Sequence, residues 1–281
     1  MKVKKIGIVS LSSGIMGENF IKHELDLGKK RLAEYGVAVE FLPHALKGLE
    51  FIKQQPECRA QDLLAAFQDD SIDMILTAIG GDDTYRLLPY LFEQDALKKA
   101  AKQKIFLGFS DTTMNHLMLH KVGIQSFYGQ AFLPSDIWYQ EREDFSEKGL
   151  GVSTPSFPNQ GFELLKGNAE FSGPILGGCL ESMYDCFDSS LYADSVQLTQ
   201  KYKLFPTLED WSEKILLLET SEERPSVELY RKMIQALKQY GIFDVVSGVL
   251  VGKPQNEIHY EEYKAVLLEE LEDKEVSIVY N

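Results

Sequence analysis

A chain of 281 residues, 44% hydrophobic and 26% charged, is long for one core and is expected to fold as two globular domains. Its formal net charge of -14 argues against the clustered Lys and Arg that nucleic acids and anionic membrane surfaces require, so neither is an expected partner. Three cysteines without C-x-x-C spacing (Cys58, Cys179, Cys186) argue against a disulfide framework or a zinc site; no metal or organic cofactor is expected, and a reducing cytoplasm fits.

The basic start Met1–Lys5 leads into an apolar run too short for a signal peptide, and Lys5–Ser10 reads as a first strand. Phe20–Tyr35 reads as a helix ending at Gly36, Val37–Leu42 as a strand and Arg59–Gln68 as a helix. Met74–Ile79 is a third strand running into Gly80-Gly81. Tyr85–Phe92 is helical, Ile105–Phe109 is a fourth strand, and Thr112–Lys121 is a helix closed by Gly123. Strands alternating with helices at this spacing predict a parallel sheet covered on both faces. From Tyr128 to Gly173 prolines, Gly161 and a charge cluster at Glu141–Lys148 predict a connecting region. A second domain follows, with a Gly177-Gly178 turn, strands at Lys214–Leu218, Val245–Val251 and Val276–Tyr280, and helices at Ser226–Tyr240 and Tyr260–Glu272.

Three constellations could carry chemistry. Gly108-Phe109-Ser110-Asp111 lies at a strand-to-helix junction, where a sharp turn lifts a serine hydroxyl above the carboxyl ends of the strands. The first helix amides favour negative charge there. The second glycine of G-x-S-x-G is Thr112 here, and Ser110 or Asp111 could equally cap the helix. Ile79-Gly80-Gly81-Asp82-Asp83-Thr84 could bring backbone N–H groups against a ligand, or form a tight turn capped by Asp82 or Asp83. Glu219, directly after four apolar residues, could orient a histidine, cap the next segment, or pair with Arg224 or Arg231. Histidine supply is the difficulty. His116 is six residues beyond Ser110, roughly 9 Å along the helix axis, and points away from it. His23 and His44 have no evident path to the crevice, His120 is further still, and His259 reads as a surface or capping residue.

Together these segments resemble the serine LD-carboxypeptidase family, which includes muramoyl-tetrapeptide carboxypeptidases and microcin C self-immunity peptidases. The anchors are Gly80-Gly81-Asp82-Asp83-Thr84, Gly108-Phe109-Ser110-Asp111, Gly177-Gly178-Cys179-Leu180 and Leu217-Leu218-Glu219-Thr220-Ser221, with Gly252-Lys253-Pro254 weaker. They look closer to the microcin-immunity branch. The resemblance implies an α/β fold: a flavodoxin-like parallel-sheet N-terminal domain (1–150), a connecting region (151–172) and a smaller, mostly β C-terminal domain (173–281). It also implies a homodimer, with a site in the crevice between the domains.

By the same resemblance Ser110 matches the nucleophile and Glu219 the carboxylate of a Ser-Glu-His triad. Backbone N–H groups of Gly81 and Asp111 would form the oxyanion hole, and Gly80, Asp82, Asp83 and Thr84 would bind substrate. Cys179 stands where the family more often has Asn. The family's histidine follows a strand like Val276–Tyr280, beyond Asn281, so the triad is expected to lack its base within these residues. The expected activity is cleavage of an amide bond in a muropeptide or an aminoacyl-nucleotide, a small peptide or peptidyl-nucleotide being the partner. The alternatives are a catalytically inactive binding protein for the same ligands, or His259 serving as base. Trp138 and Trp211 are candidates for stacking on a nucleobase.

Overall fold

A strand covered on both faces needs successive apolar residues, which Lys5–Val9 (β1), Met74–Thr77 (β3) and Ile105–Gly108 (β4) supply. The computed structural model describes residues 3–133 and 161–280. In it these strands join Ala38–Phe41 (β2) and Phe127–Tyr128 (β5) in a sheet of order β2-β1-β3-β4-β5, with every neighbour parallel. That is the flavodoxin-like order. Ile8, Ile75 and Phe106 are fully buried at its centre. The helix Lys22–Glu34 buries Leu25 and Leu32, and the helix Pro56–Gln68 packs on β1 and buries Leu63 and Phe67. Gly28 is required by packing, since a Cβ there would lie 2.7 Å from the Phe132 ring.

The chain divides into two units, Met1–Phe157 and Pro158–Asn281. The second, smaller unit is built on Glu163–Lys166 (β6), Ile175–Cys179 (β7), Ile215–Glu219 (β8), Gly248–Val251 (β9) and Ile278–Tyr280 (β10). Their order is β6-β10-β9-β8-β7; β6 is antiparallel to β10 and the rest are parallel. Parallel neighbours cannot be joined by tight turns, so the helices Val227–Tyr240 and Tyr260–Glu270 are added between strands. Ser226 Oγ caps the first of these at Leu229 N–H, and Gly241 ends it at φ 94°. Tyr230 and Tyr263 stack between the two helices with centroids 4.0 Å apart.

Two expectations are corrected. Gly177-Gly178 is not a turn but the middle of β7, at φ 126° and 145°, and a Cβ on Gly177 would overlap the Leu217 carbonyl. The expected connecting region contributes strand β6. Trp138, the cluster 141–148, and the prolines at 134, 155 and 158 lie outside the described residues. Trp211 is fully buried against Phe205, so its indole belongs to the core. Among the described residues no helix is long and apolar enough to cross a membrane.

Candidate active site

At the carboxyl end of β4 the chain turns sharply. Ser110 sits at φ 58°, a left-handed conformation that costs a non-glycine residue about 1–3 kcal/mol. Three hydrogen bonds hold the turn. Ser110 N–H donates to Tyr128 Oη (2.9 Å), Thr113 Oγ1 donates to the Ser110 carbonyl (2.7 Å), and Thr112 Oγ1 donates to the Phe109 carbonyl (2.7 Å). Neither Ser110 nor Asp111 caps the helix Thr113–Lys121 through its side chain.

The loop after β3 lies directly against this serine. A Cβ on Gly80 would stand 2.6 Å from Ser110 Cβ and 2.7 Å from its Oγ, so only glycine allows the approach. A Cβ on Gly81 would overlap Ser12 Oγ, and Ser13 N–H donates to the Gly80 carbonyl (3.1 Å). The ends of β1, β3 and β4 thus converge at one crest.

The buried Asp111 carboxylate knits them together. Its Oδ2 accepts from Ser12 Oγ (2.5 Å), Thr84 N–H (2.9 Å) and Thr84 Oγ1 (2.7 Å). Asp83 is equally buried and pairs with Arg59, whose Nη1 lies 2.6 Å from Asp83 Oδ1 and also donates to the carbonyls of Leu11 and Ser12. Burial pushes the Asp83 carboxyl above the usual carboxylate range, with the Arg59 guanidinium opposing it. Of the four residues expected to bind substrate, Asp83 and Thr84 therefore spend their side chains inside the loops. Asp82 is half exposed, 3.9 Å from Lys53, and Gly80 touches Ser110.

Two histidines of this unit, His116 and His44, are committed elsewhere. His116 Nε2 faces the Gly108 carbonyl (3.0 Å), so Nε2 carries the proton and Nδ1 accepts from Ser126 Oγ (2.7 Å). Burial pulls its pKa down to about 4, and the imidazole is neutral. His44 is held by Asp62, which accepts from both its backbone N–H (2.9 Å) and its ring Nδ1 (2.8 Å).

In the second unit Glu219 ends β8 opposite Cys179. Gly252 follows β9 with its N–H on the Leu218 carbonyl (2.7 Å), and a Cβ there would be 3.2 Å from Glu219 Cβ. Leu180, Tyr230, Tyr263 and Tyr280 line a recess beside Glu219. The Cys179 thiol is held well above its usual range by burial, then by the charges of Glu181 and Glu219, which makes it a poor nucleophile. Glu181 accepts from Ser221 N–H (2.9 Å) and Oγ (2.7 Å), fixing the turn after Glu219. His259 stands at φ 61° before the helix Tyr260–Glu270, its ring 5.6 Å from that of Tyr263. Among the described residues no three His, Cys, Asp or Glu side chains converge as a metal set.

Sequence reasoning singled out Ser110, Gly80, Gly81, Asp111 and Thr84, and the structure brings these together at one crest. It did not single out Ser12, Arg59, Tyr128 or Glu181, whose roles depend on partners remote in sequence.

The first unit matches the LD-carboxypeptidase N-terminal domain over residues 6–129, and the second matches the LD-carboxypeptidase C-terminal domain over 172–281. The chain belongs to the LD-carboxypeptidase family. It is 57% identical to an MccF-like protein from Streptococcus pneumoniae, solved in complex with AMP, with a TM-score of 0.89 over all of this chain and 90% of that one. The microcin C7 self-immunity protein MccF of Escherichia coli is 27% identical over 229 residues, covering 69% of this chain and 60% of that protein. An MccF-like protein from Bacillus anthracis, 24% identical with a TM-score of 0.76, shares the fold over all of this chain and 88% of its own.

Proposed function

We propose that this member of the LD-carboxypeptidase family is a serine peptidase that cleaves the amide bond of an aminoacyl- or peptidyl-nucleotide. Ser110 is the nucleophile, Glu219 orients the histidine, and the N–H groups of Gly81 and Asp111 stabilise the oxyanion. The observation carrying this reading is the strained Ser110, whose hydroxyl lies against the Gly80 backbone at the carboxyl end of the sheet. The AMP complex of the 57% identical relative favours a nucleotide-linked substrate over a muropeptide.

Ser110 Oγ attacks the amide carbon and its proton passes to the imidazole. The C–N bond then breaks, the amine leaves with that proton, and water hydrolyses the acyl-serine. Neither His116 nor His44 is available for this step, since they are bonded to Gly108 and Asp62. That observation favours a second reading, a nucleotide-binding protein without turnover.

The deciding experiment offers the protein aspartyl sulfamoyl adenosine and a fluorophosphonate probe and measures AMP affinity alongside. Hydrolysis and labelling, both lost in Ser110→Ala, support the peptidase. AMP binding with neither supports the binding protein.

A further inference from the structure

We propose that the Asp111 carboxylate is a positioning group that, through Ser12 and Thr84, fixes the oxyanion-binding amides around Ser110. This rests on the peptidase reading above and adds to it how the site is held. One oxygen of a buried side chain takes three donors from two different loops: Ser12 Oγ after β1, and Thr84 N–H and Oγ1 after β3. Asp111 itself follows β4. Because β1, β3 and β4 are adjacent in the sheet, this single oxygen spans the whole floor of the crest. A carboxylate oxygen accepts only, which matches the three donors.

Ser12 also supports Gly81 directly, because the Gly81 Cα packs where any Cβ would overlap Ser12 Oγ. A second tier runs beneath: Arg59 joins the Leu11 and Ser12 carbonyls to Asp83, linking the same two loops. Gly81 thus lies between Ser12, which packs against it, and Thr84 three residues on in the same loop, and both Ser12 and Thr84 are bonded to Asp111. Charge-assisted bonds of this kind are about twice as strong as neutral ones. The clamp would therefore resist the loop displacement that an amide must avoid to meet a developing oxyanion.

The test is the double variant Ser12→Ala/Thr84→Val, which removes both hydroxyls and keeps the Thr84 N–H. Misplacing a catalytic amide by a fraction of an ångström is expected to lower kcat roughly ten- to a hundredfold on aspartyl sulfamoyl adenosine. KM and AMP affinity stay near the parent's, while Tm falls because a buried carboxylate loses two donors. Parent-like kcat overturns the proposal, and so does a fall of AMP affinity that parallels kcat, which marks plain structural glue.

A parent that binds AMP without turnover refutes the peptidase reading instead, and the clamp is then read from amide hydrogen exchange. A Thr84 N–H protected in the parent and at least about tenfold faster in Asp111→Asn at unchanged Tm supports it. A Thr84 N–H unprotected in the parent, or unchanged in the variant, overturns it.

Discussion

Lowering the pH from 7 towards 4 tests the seating of His116. Its ring is buried between Phe106 and Tyr128, with centroids 5.4 Å away on both sides, and donates to the strand that delivers Ser110. Burial holds the folded imidazole at about 4 against an ordinary value of 6.5. Between those limits the unfolded chain binds a proton that the folded chain refuses. Stability from this residue is therefore complete above pH 6.5 and is lost as pH falls towards 4. At 1.36 kcal/mol per tenfold, the full gap is worth about 3 kcal/mol, of which about 2.5 kcal/mol has gone by pH 4.5.

Urea unfolding at pH 7.0 and 4.5, for the parent and His116→Gln, isolates the effect, because the carboxylates titrate in both. The parent should lose about 2.5 kcal/mol more than the variant over this range. In the NMR spectrum the His116 ring resonances should stay flat above roughly pH 5. Equal losses in the two proteins, or a His116 midpoint near 6.5, would refute the reasoning.

Three further outcomes are expected. Gly80→Ala should destabilise the parent but be tolerated in a Ser110→Gly background, since the added methyl's two overlaps, at 2.6 and 2.7 Å, are both with the Ser110 side chain and its next neighbour, Asp111 N, is at an ordinary 3.4 Å; additive effects in a double-mutant cycle would sink this. Arg59→Met should cost roughly 3–5 kcal/mol by urea unfolding, because it removes the buried partner of Asp83 and leaves only the half-buried Arg86, 3.9 Å from its other oxygen. Asp83 is already shifted upward by burial, so part of that loss should return as pH falls and the carboxyl protonates; a deficit independent of pH would contradict it. Tyr128→Phe keeps the ring against His116 and removes the acceptor of Ser110 N–H. Fluorophosphonate labelling of a reactive Ser110 should slow by roughly tenfold with little change in Tm, and parent-like labelling would refute the role.

Much of the frame was legible because two-sided burial writes itself as apolar runs. Met74-Ile75-Leu76 and Ile105-Phe106-Leu107 are strands in sequence and in structure. The helix expected at Phe20–Tyr35 forms as Lys22–Glu34, entered through short 3-10 turns. Gly177-Gly178 misled because a glycine pair signals either a turn or a close backbone approach, and local composition does not distinguish them. Strand β6 was hidden because Glu163-Leu164-Leu165-Lys166 is short and half polar, and its pairing is supplied by β10 more than a hundred residues later.

The crest itself was legible through its glycines and Ser110, whereas its support was not. Ser12 meets Asp111 across 99 positions and Arg59 meets the Ser12 carbonyl across 47, and nothing in a local window marks such partners.

The balance of forces at Ser110 explains why the support has to be so extensive. A left-handed serine costs about 1–3 kcal/mol, and one ordinary hydrogen bond returns only about 0.5–1.5 kcal/mol. The turn is therefore held by three, from Tyr128, Thr112 and Thr113, with the Gly80 backbone blocking escape on the remaining side. Two of those partners lie within three residues of Ser110 and travel with it. Tyr128 does not; it sits on β5, so its hydroxyl ties the strained residue to a neighbouring strand. Strain of this size persists only where the surroundings over-determine it. The residues that do so here lie on β5 or follow β3 and β4, so the conformation of one serine is a property of three neighbouring strands' carboxyl ends.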